Sequence, residues 1–278
     1  GKFKGIINEQ IPELPKENLL LEPYARRTAP CIAYATYTLL KRNPDAVMAA
    51  TPADIIVNDE QLFKETMTHA LDYAEKNPVL VTLGVKPDRP DTEYGYIQAV
   101  GGKGACSSGD PVKVKTFTEK PDAEIADVFF RSGEFFWNSG IFVWQASVIK
   151  EEMERYIPEI TRLFDGWEGA LGSPAEEVFI ERAYTDCIKL SIDYGVMEKT
   201  DRAWVYPIQF GWSDIDSWEN YYSSIQRKDQ DGNISNTQMK ILQNDKRNII
   251  LTKNKNKLLM IRGLEDCLVV DTDDVLLI

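Results

Sequence analysis

Histidine is almost missing from this chain: His69 is the only one in 278 residues. That scarcity excludes Ser-His-Asp and Cys-His nucleophiles and two-histidine metal centres, so any catalysis must rest on carboxylates, lysines, a cation and backbone dipoles. Cysteine is scarce too. Cys31, Cys106, Cys187 and Cys267 form no Cys-x-x-Cys pair, which argues against a zinc or disulfide frame and for buried thiols in a reducing compartment. Positive charge is in deficit, with 32 Lys and Arg against 44 Asp and Glu, a formal charge of −12. A nucleic-acid binder, which needs cations to displace phosphate counterions, is therefore a poor fit. No run approaches the roughly 20 apolar residues of a membrane span, and no charged stretch leads into an apolar one as in a signal peptide. The expected location is cytoplasmic, with no membrane partner.

What is present is a composition of 43% apolar and 27% charged residues, that of a soluble globular protein. Thr28 and Pro30 read as a helix start, followed by Ile32, Ala35, Leu39 and Leu40 at helical spacing, and Asn43 with Pro44 stops it. Residues 46–50 form a short apolar strand. Leu62, Phe63, Thr66, Met67, Ala70, Leu71 and Ala74 line one helical face, and 79–85 reads as a buried strand. Strand, helix, strand in this rhythm implies a parallel sheet. Ligands in such sheets lie beyond the carboxyl ends of strands, which puts Asp54 on the functional rim. Further strands are expected at 94–100, 112–119, 141–144 and 203–208. After a polar linker at 227–236, short apolar runs at 249–251, 258–261, 268–270 and 275–278 alternate with turns. They predict a small β-rich domain over 227–278, too irregular to assign as a β-helix from periodicity. Its apolar edges are a place for homo-oligomer pairing.

Four strings carry the chemistry: Pro52, Ala53, Asp54; Phe117, Thr118, Glu119, Lys120, Pro121; Asn138, Ser139, Gly140; and Trp212, Ser213, Asp214. Asp54 and Asp214 alone would be ordinary turn or cap residues. Mg²⁺, however, takes only one or two protein carboxylates and completes its shell with water and phosphate oxygens. Pro121 is expected to hold Lys120 in an extended backbone and so to limit where its ammonium points. Gly95, between two tyrosines in an apparent strand, costs stability unless backbone or ligand must approach closely. Asp193, in Ser191, Ile192, Asp193, Tyr194, reads as a helix cap. Phe135, Phe136, Trp137, Phe142 and Trp144 read as core.

In wording and order these strings resemble the sugar nucleotidyltransferases, most closely the bacterial mannose-1-phosphate guanylyltransferases. The resemblance implies a Rossmann-like α/β nucleotidyltransferase domain over 1–226, with a mixed, mainly parallel sheet, followed by the β-rich domain. It implies that Asp54 and Asp214 hold Mg²⁺ or a similar cation at the nucleotide, and that Lys120 binds the sugar 1-phosphate. By the same resemblance Gly95, Glu119 and Asn138 contact the sugar, and Arg27 and Thr28 lie on the nucleotide side. The implied substrates are GTP and a hexose 1-phosphate, joined by direct attack of the sugar phosphate on the α-phosphorus. Arg27, Ile55 and Asp216 stand where the family has asparagine, histidine and glycine. The resemblance begins only after the strand and glycine-rich, arginine-bearing loop with which family members open, and a chain without that unit is expected to be inactive. Two other readings stay open: a regulatory relative that binds without turnover, and a glycosyltransferase using a finished nucleotide sugar.

Overall fold

The computed structural model describes residues 3–102, 109–215 and 217–278. Cys106 and Asp216, singled out above, lie outside the described residues. The strands of the first half are β1 (Val47–Ala50), β2 (Ile55–Val57), β3 (Leu80–Val85), β4 (Tyr96–Ala99), β5 (Val112–Thr118) and β6 (Phe135–Gln145). The later ones are β7 (Ala203–Ile208), β8 (Trp212–Asp214), β9 (Ile234–Ser235), β10 (Lys240–Gln243), β11 (Ile249–Thr252), β12 (Leu259–Arg262), β13 (Leu268–Asp271) and β14 (Leu276–Leu277). They divide between two compact units: Gly1–Pro52 with Asp59–Phe210, and Ala53–Asn58 with Gly211–Ile278. This division differs from a boundary at 226/227, because β2 pairs with β8 and takes the segment around Asp54 into the second unit.

The first unit holds a six-stranded sheet in the order β1-β6-β3-β7-β5-β4, with β6 also pairing β4. The sheet is mixed, as expected. Strands β1, β3, β4 and β7 run one way, but β5 and β6 run against them, so that β3 and β7 are the only parallel neighbours among the described pairings of this sheet. A mainly parallel sheet holds for strand direction and not for strand neighbours. The reason is β6, an antiparallel strand of 11 residues inserted between β1 and β3.

Helix Thr28–Arg42 buries Ala29, Ile32, Ala33, Thr36 and Tyr37, one face at helical spacing. It ends at Asn43 before Pro44, as the sequence predicts. Helix Glu60–Lys76 starts because the Asp59 carboxylate accepts the Leu62 N–H at 2.9 Å, a cap that satisfies one orphan donor. Thr66, Ala70 and Ala74 form its buried stripe. Helix Ala123–Ser132 is capped in the same way by Asp122 and stops at Gly133, whose φ of 66° makes a left-handed C-terminal cap. Leu80, Val81 and Leu83 of β3 are fully buried, and Trp144, Ile149 and Met153 continue the core. Phe142, Trp137 and Trp144 are buried and Phe135 and Phe136 half-buried, as a core reading requires. Of the described cysteines Cys187 is buried, whereas Cys31 is exposed and Cys267 partly exposed. The expectation of buried thiols therefore holds for Cys187 alone, because Cys31 falls on the outer side of its helix.

The second unit contains a parallel coil. β9, β11 and β13 stack in parallel register, as do β10 and β12, and β14 closes antiparallel on β13. Ile250, Leu259 and Val269 fill its interior. Equivalent positions step from Ile234 to Ile249 and then to Leu268, unequal intervals that hide the coil from a search for periodicity. Among the described residues no helix is long and apolar enough to cross a membrane.

Candidate functional site

In the first unit the site begins where β6 is interrupted. Its register against β3 jumps from Phe142 opposite Thr82 to Asn138 opposite Gly84. Gly140 makes the excursion with φ 73°, and a Cβ there would stand 3.0 Å from Pro52 Cγ. A bulge of this kind re-aims neighbouring side chains. Here it turns Asn138 inward. The Asn138 N–H donates to the Gly95 carbonyl at 2.8 Å, and its Oδ1 accepts from Thr82 Oγ1 at 3.1 Å and from the Gly140 N–H at 3.2 Å. Its Nδ2 donates to Asp193 Oδ1 at 2.9 Å.

Gly95 has a steric reason to be glycine. A Cβ built there would lie 2.3 Å from Glu119 Oε2 and 3.2 Å from Asn138 Cβ, so the Glu119 carboxyl occupies the space a larger residue would need. That oxygen is buried without a hydrogen-bond partner. Burial pushes the Glu119 carboxyl up to about 7, and the charges of Asp193 and Glu198 add to this while Lys120 and the Asn138 amide oppose it. Burial also raises Asp193. An unpartnered buried acceptor costs stability unless a ligand meets it.

Lys120 departs from expectation. Its φ is +45°, in the left-handed region and not extended, a conformation costing a non-glycine residue about 1–3 kcal/mol. Pro121 does disfavour the right-handed helical region for the residue before it, yet the chain turns through the left-handed one. The Glu119 N–H is pinned by Glu198 Oε1 at 2.9 Å on one side, and Pro121 is buried on the other. Lys120 Nζ pairs with Glu93 Oε2 at 3.2 Å, with both side chains largely exposed. Such an exposed pair is weak, and an incoming phosphate can compete for the ammonium.

Arg27 and Thr28 sit at a helix N-terminus. Arg27 has φ 67° and ψ −166°, a region essentially reserved for glycine. The Thr28 hydroxyl oxygen accepts the Ile192 N–H at 2.9 Å, the Ala29 N–H donates to the Leu190 carbonyl at 3.0 Å, and the Leu190 N–H donates to the Arg26 carbonyl at 3.2 Å. These bonds set residue 192 against the helix start and place Asp193 on Asn138. Asp193 is not a cap. The turn Asp193–Met197 has Ile192 at its cap position, and the carboxylate is turned inward by the Asn138 amide. Reading a short polar residue ahead of a helical run as a cap overlooked this long-range bond.

In the second unit, Ile55 faces Asp214 across the antiparallel β2 and β8 pair, and the Ile215 N–H donates to the Asp54 carbonyl at 3.1 Å. The ladder therefore brings Asp54 and Asp214 to neighbouring backbone positions, with Asp54 in the bend just before β2, where the pleat no longer dictates a face. Asn220 Nδ2 donates to Asp214 Oδ1 at 2.7 Å, from a helix (Trp218–Ser224) capped by Ser217. Sequence reasoning missed Asn220. Two carboxylates on adjoining positions have the donor chemistry for a hard cation, which needs few protein oxygens. Among the described residues no three ligand-type side chains converge, so a cation here would depend on water and substrate oxygens for the rest of its shell.

These features, a mixed sheet with an inward-turned asparagine and buried glutamate and a parallel coil after it, accompany a family match. Residues 4–231 match the nucleotidyl transferase family, and the chain belongs to it. Over its whole length it is 36% identical to the mannose-1-phosphate guanylyltransferase of Escherichia coli, covering 58% of that protein. It is also 36% identical to the alginate biosynthesis protein AlgA of Pseudomonas aeruginosa, covering all of the chain and 57% of that protein. The chain thus spans less than two thirds of the length of these curated relatives. A solved structure described as a mannose-1-phosphate geranyltransferase from Thermus thermophilus matches with a TM-score of 0.79 and 25% identity, covering 99% of this chain and 83% of that one.

Proposed function

We propose that this chain carries the nucleotidyl-transfer core of a guanylyltransferase that joins GTP and mannose 1-phosphate into GDP-mannose and pyrophosphate. The observation that carries the reading is the Glu119 carboxyl: buried, unpartnered at Oε2, and packed on a glycine beside Asn138. Such an acceptor suits a sugar hydroxyl. Lys120, next in sequence and weakly held, suits the sugar's phosphate, and its charge lowers the repulsion between two anionic substrates. A phosphate oxygen of the sugar attacks the α-phosphorus of GTP in line, and pyrophosphate leaves without a covalent enzyme intermediate. The protein's contribution is position and charge. A divalent cation held by Asp54 and Asp214 would neutralise nucleotide phosphate oxygens. Asn220 would orient the Asp214 carboxylate.

The test is pyrophosphate release by the full-length gene product with GTP, mannose 1-phosphate and Mg²⁺. Turnover is expected, and Asp214→Ala should lower it by at least about 100-fold while weakening Mn²⁺ binding measured by electron paramagnetic resonance. No pyrophosphate release with this substrate pair would overturn the reading.

Gly95→Ala separates the sugar pocket from the fold. The new methyl group meets the flexible end of Glu119, which must move, and comes within 3.2 Å of Asn138 Cβ, which must give by a few tenths of an ångström. Affinity for mannose 1-phosphate should fall by about tenfold or more while stability falls by only about 1–3 kcal/mol and the fold is kept. Calorimetric titration beside thermal unfolding reads both, and unchanged affinity would remove Glu119 from the sugar pocket.

A further inference from the structure

Asp193 has no part in the reaction proposed above, yet it is tied to the sugar-side residues. Both ends of the Asn138 amide are committed: Nδ2 to Asp193 Oδ1, and Oδ1 to the Thr82 hydroxyl and the Gly140 N–H. The amide is thereby fixed in place beside Glu119, whose Oε2 lies buried over Gly95 without a partner. Other charged groups face Glu119 as well. Glu198 receives its backbone N–H, and Lys120 follows it with Nζ on Glu93. Two inward carboxyls with a third nearby and a cation already shared with Glu93 favour retention of a proton over ionisation.

We propose that Asp193 is a positioning residue: it locks the Asn138 amide and keeps a proton on Glu119, which leaves when a hexose 1-phosphate sets a hydroxyl against that carboxyl. This rests on the sugar-phosphate reading of the pocket. The Glu119 O–H bond breaks and its proton passes to the buffer. The ligand O–H then donates to the carboxylate, which supplies the partner that Oε2 lacks. With the Glu119 carboxyl raised to about 7 in the free protein, binding weakens as pH falls below that value and is fully developed above it.

Isothermal titration of the full chain with mannose 1-phosphate, in two buffers of different ionisation enthalpy, counts the protons released. The dissociation constant should rise by about tenfold from pH 8 to pH 6, with a large fraction of a proton released per ligand near neutrality. Asp193→Asn removes the neighbouring charge, so its proton count near pH 7 should fall by about half or more and the pH dependence should move to lower pH. The ligand's own phosphate titrates identically in both proteins and drops out of the comparison. Weaker binding with an unchanged proton count would reduce Asp193 to a structural role and overturn the inference. Carbon NMR of the Glu119 carboxyl, with and without ligand, repeats the test in the unaltered protein: a titration that the ligand does not move to lower pH also overturns it. Absence of any mannose 1-phosphate binding is a different result, which sinks the pocket reading itself and this inference with it.

Discussion

Replacing Glu119 with glutamine stabilises the protein at pH 8 by up to about 3 kcal/mol and changes it little at pH 3. The carboxyl is raised to about 7 in the folded chain, chiefly by burial, whereas an unfolded glutamate titrates near 4.3. Between those two values the folded state binds the proton that the unfolded state has already lost, so stability falls as pH rises through the window and stays reduced above it. Glutamine carries no charge to bury and removes that loss. Below the unfolded value both residues are neutral and the difference vanishes. The same substitution exchanges the carboxylate proposed to accept from the sugar for a neutral amide with one acceptor oxygen, a weaker partner, so mannose 1-phosphate affinity should fall as stability rises. That is the trade expected of a group kept for binding. Urea unfolding at the two pH values measures it. Equal effects at both would mean that the Glu119 carboxyl is solvated and ionised like a surface group.

Asn248→Ala should destabilise the second unit by about 2 kcal/mol. Asn248 is completely buried. Its Nδ2 donates to Asn233 Oδ1 at 3.1 Å and to the Leu264 carbonyl at 2.8 Å, and its Oδ1 accepts the Cys267 N–H at 2.9 Å. Asn233 repeats the motif one coil earlier, its Oδ1 accepting the Asn248 N–H at 3.0 Å. Alanine leaves the Cys267 N–H inside the coil without a partner, at a cost of about 1–3 kcal/mol, while the Leu264 carbonyl keeps the Lys246 N–H at 2.9 Å. The Cys267 amide should lose its hydrogen-exchange protection first, together with Ile249, whose N–H donates to the Cys267 carbonyl. A loss of stability below about 0.5 kcal/mol, with protection intact, would show that the asparagine ladder is dispensable.

Local signals were legible at these helices because they act over a few residues: Asn43 with Pro44 stops one helix, and Thr66, Ala70 and Ala74 announce a buried face of another. The caps at Asp59 and Asp122 act over the same short range, and the structure supplied them. The four strings Pro52 to Asp54, Phe117 to Pro121, Asn138 to Gly140 and Trp212 to Asp214 marked a nucleotidyl transferase by wording alone. The role of Asp193 was not legible, since its partner Asn138 lies 55 positions earlier. Nor was the backbone of Lys120, where pinning by Glu198 outweighed the preference set by Pro121.

By itself, then, the amino-acid order determined where helices begin and end, which segments are apolar enough for strands, and which family's vocabulary the chain uses, because each depends on neighbours in sequence. The fold alone decided that β6 enters the sheet antiparallel, that Glu119 fills the space over Gly95, that Asp193 locks Asn138, and that the tail winds into a parallel coil. Those outcomes depend on register between distant strands, and register follows from packing and hydrogen-bond satisfaction across the whole unit.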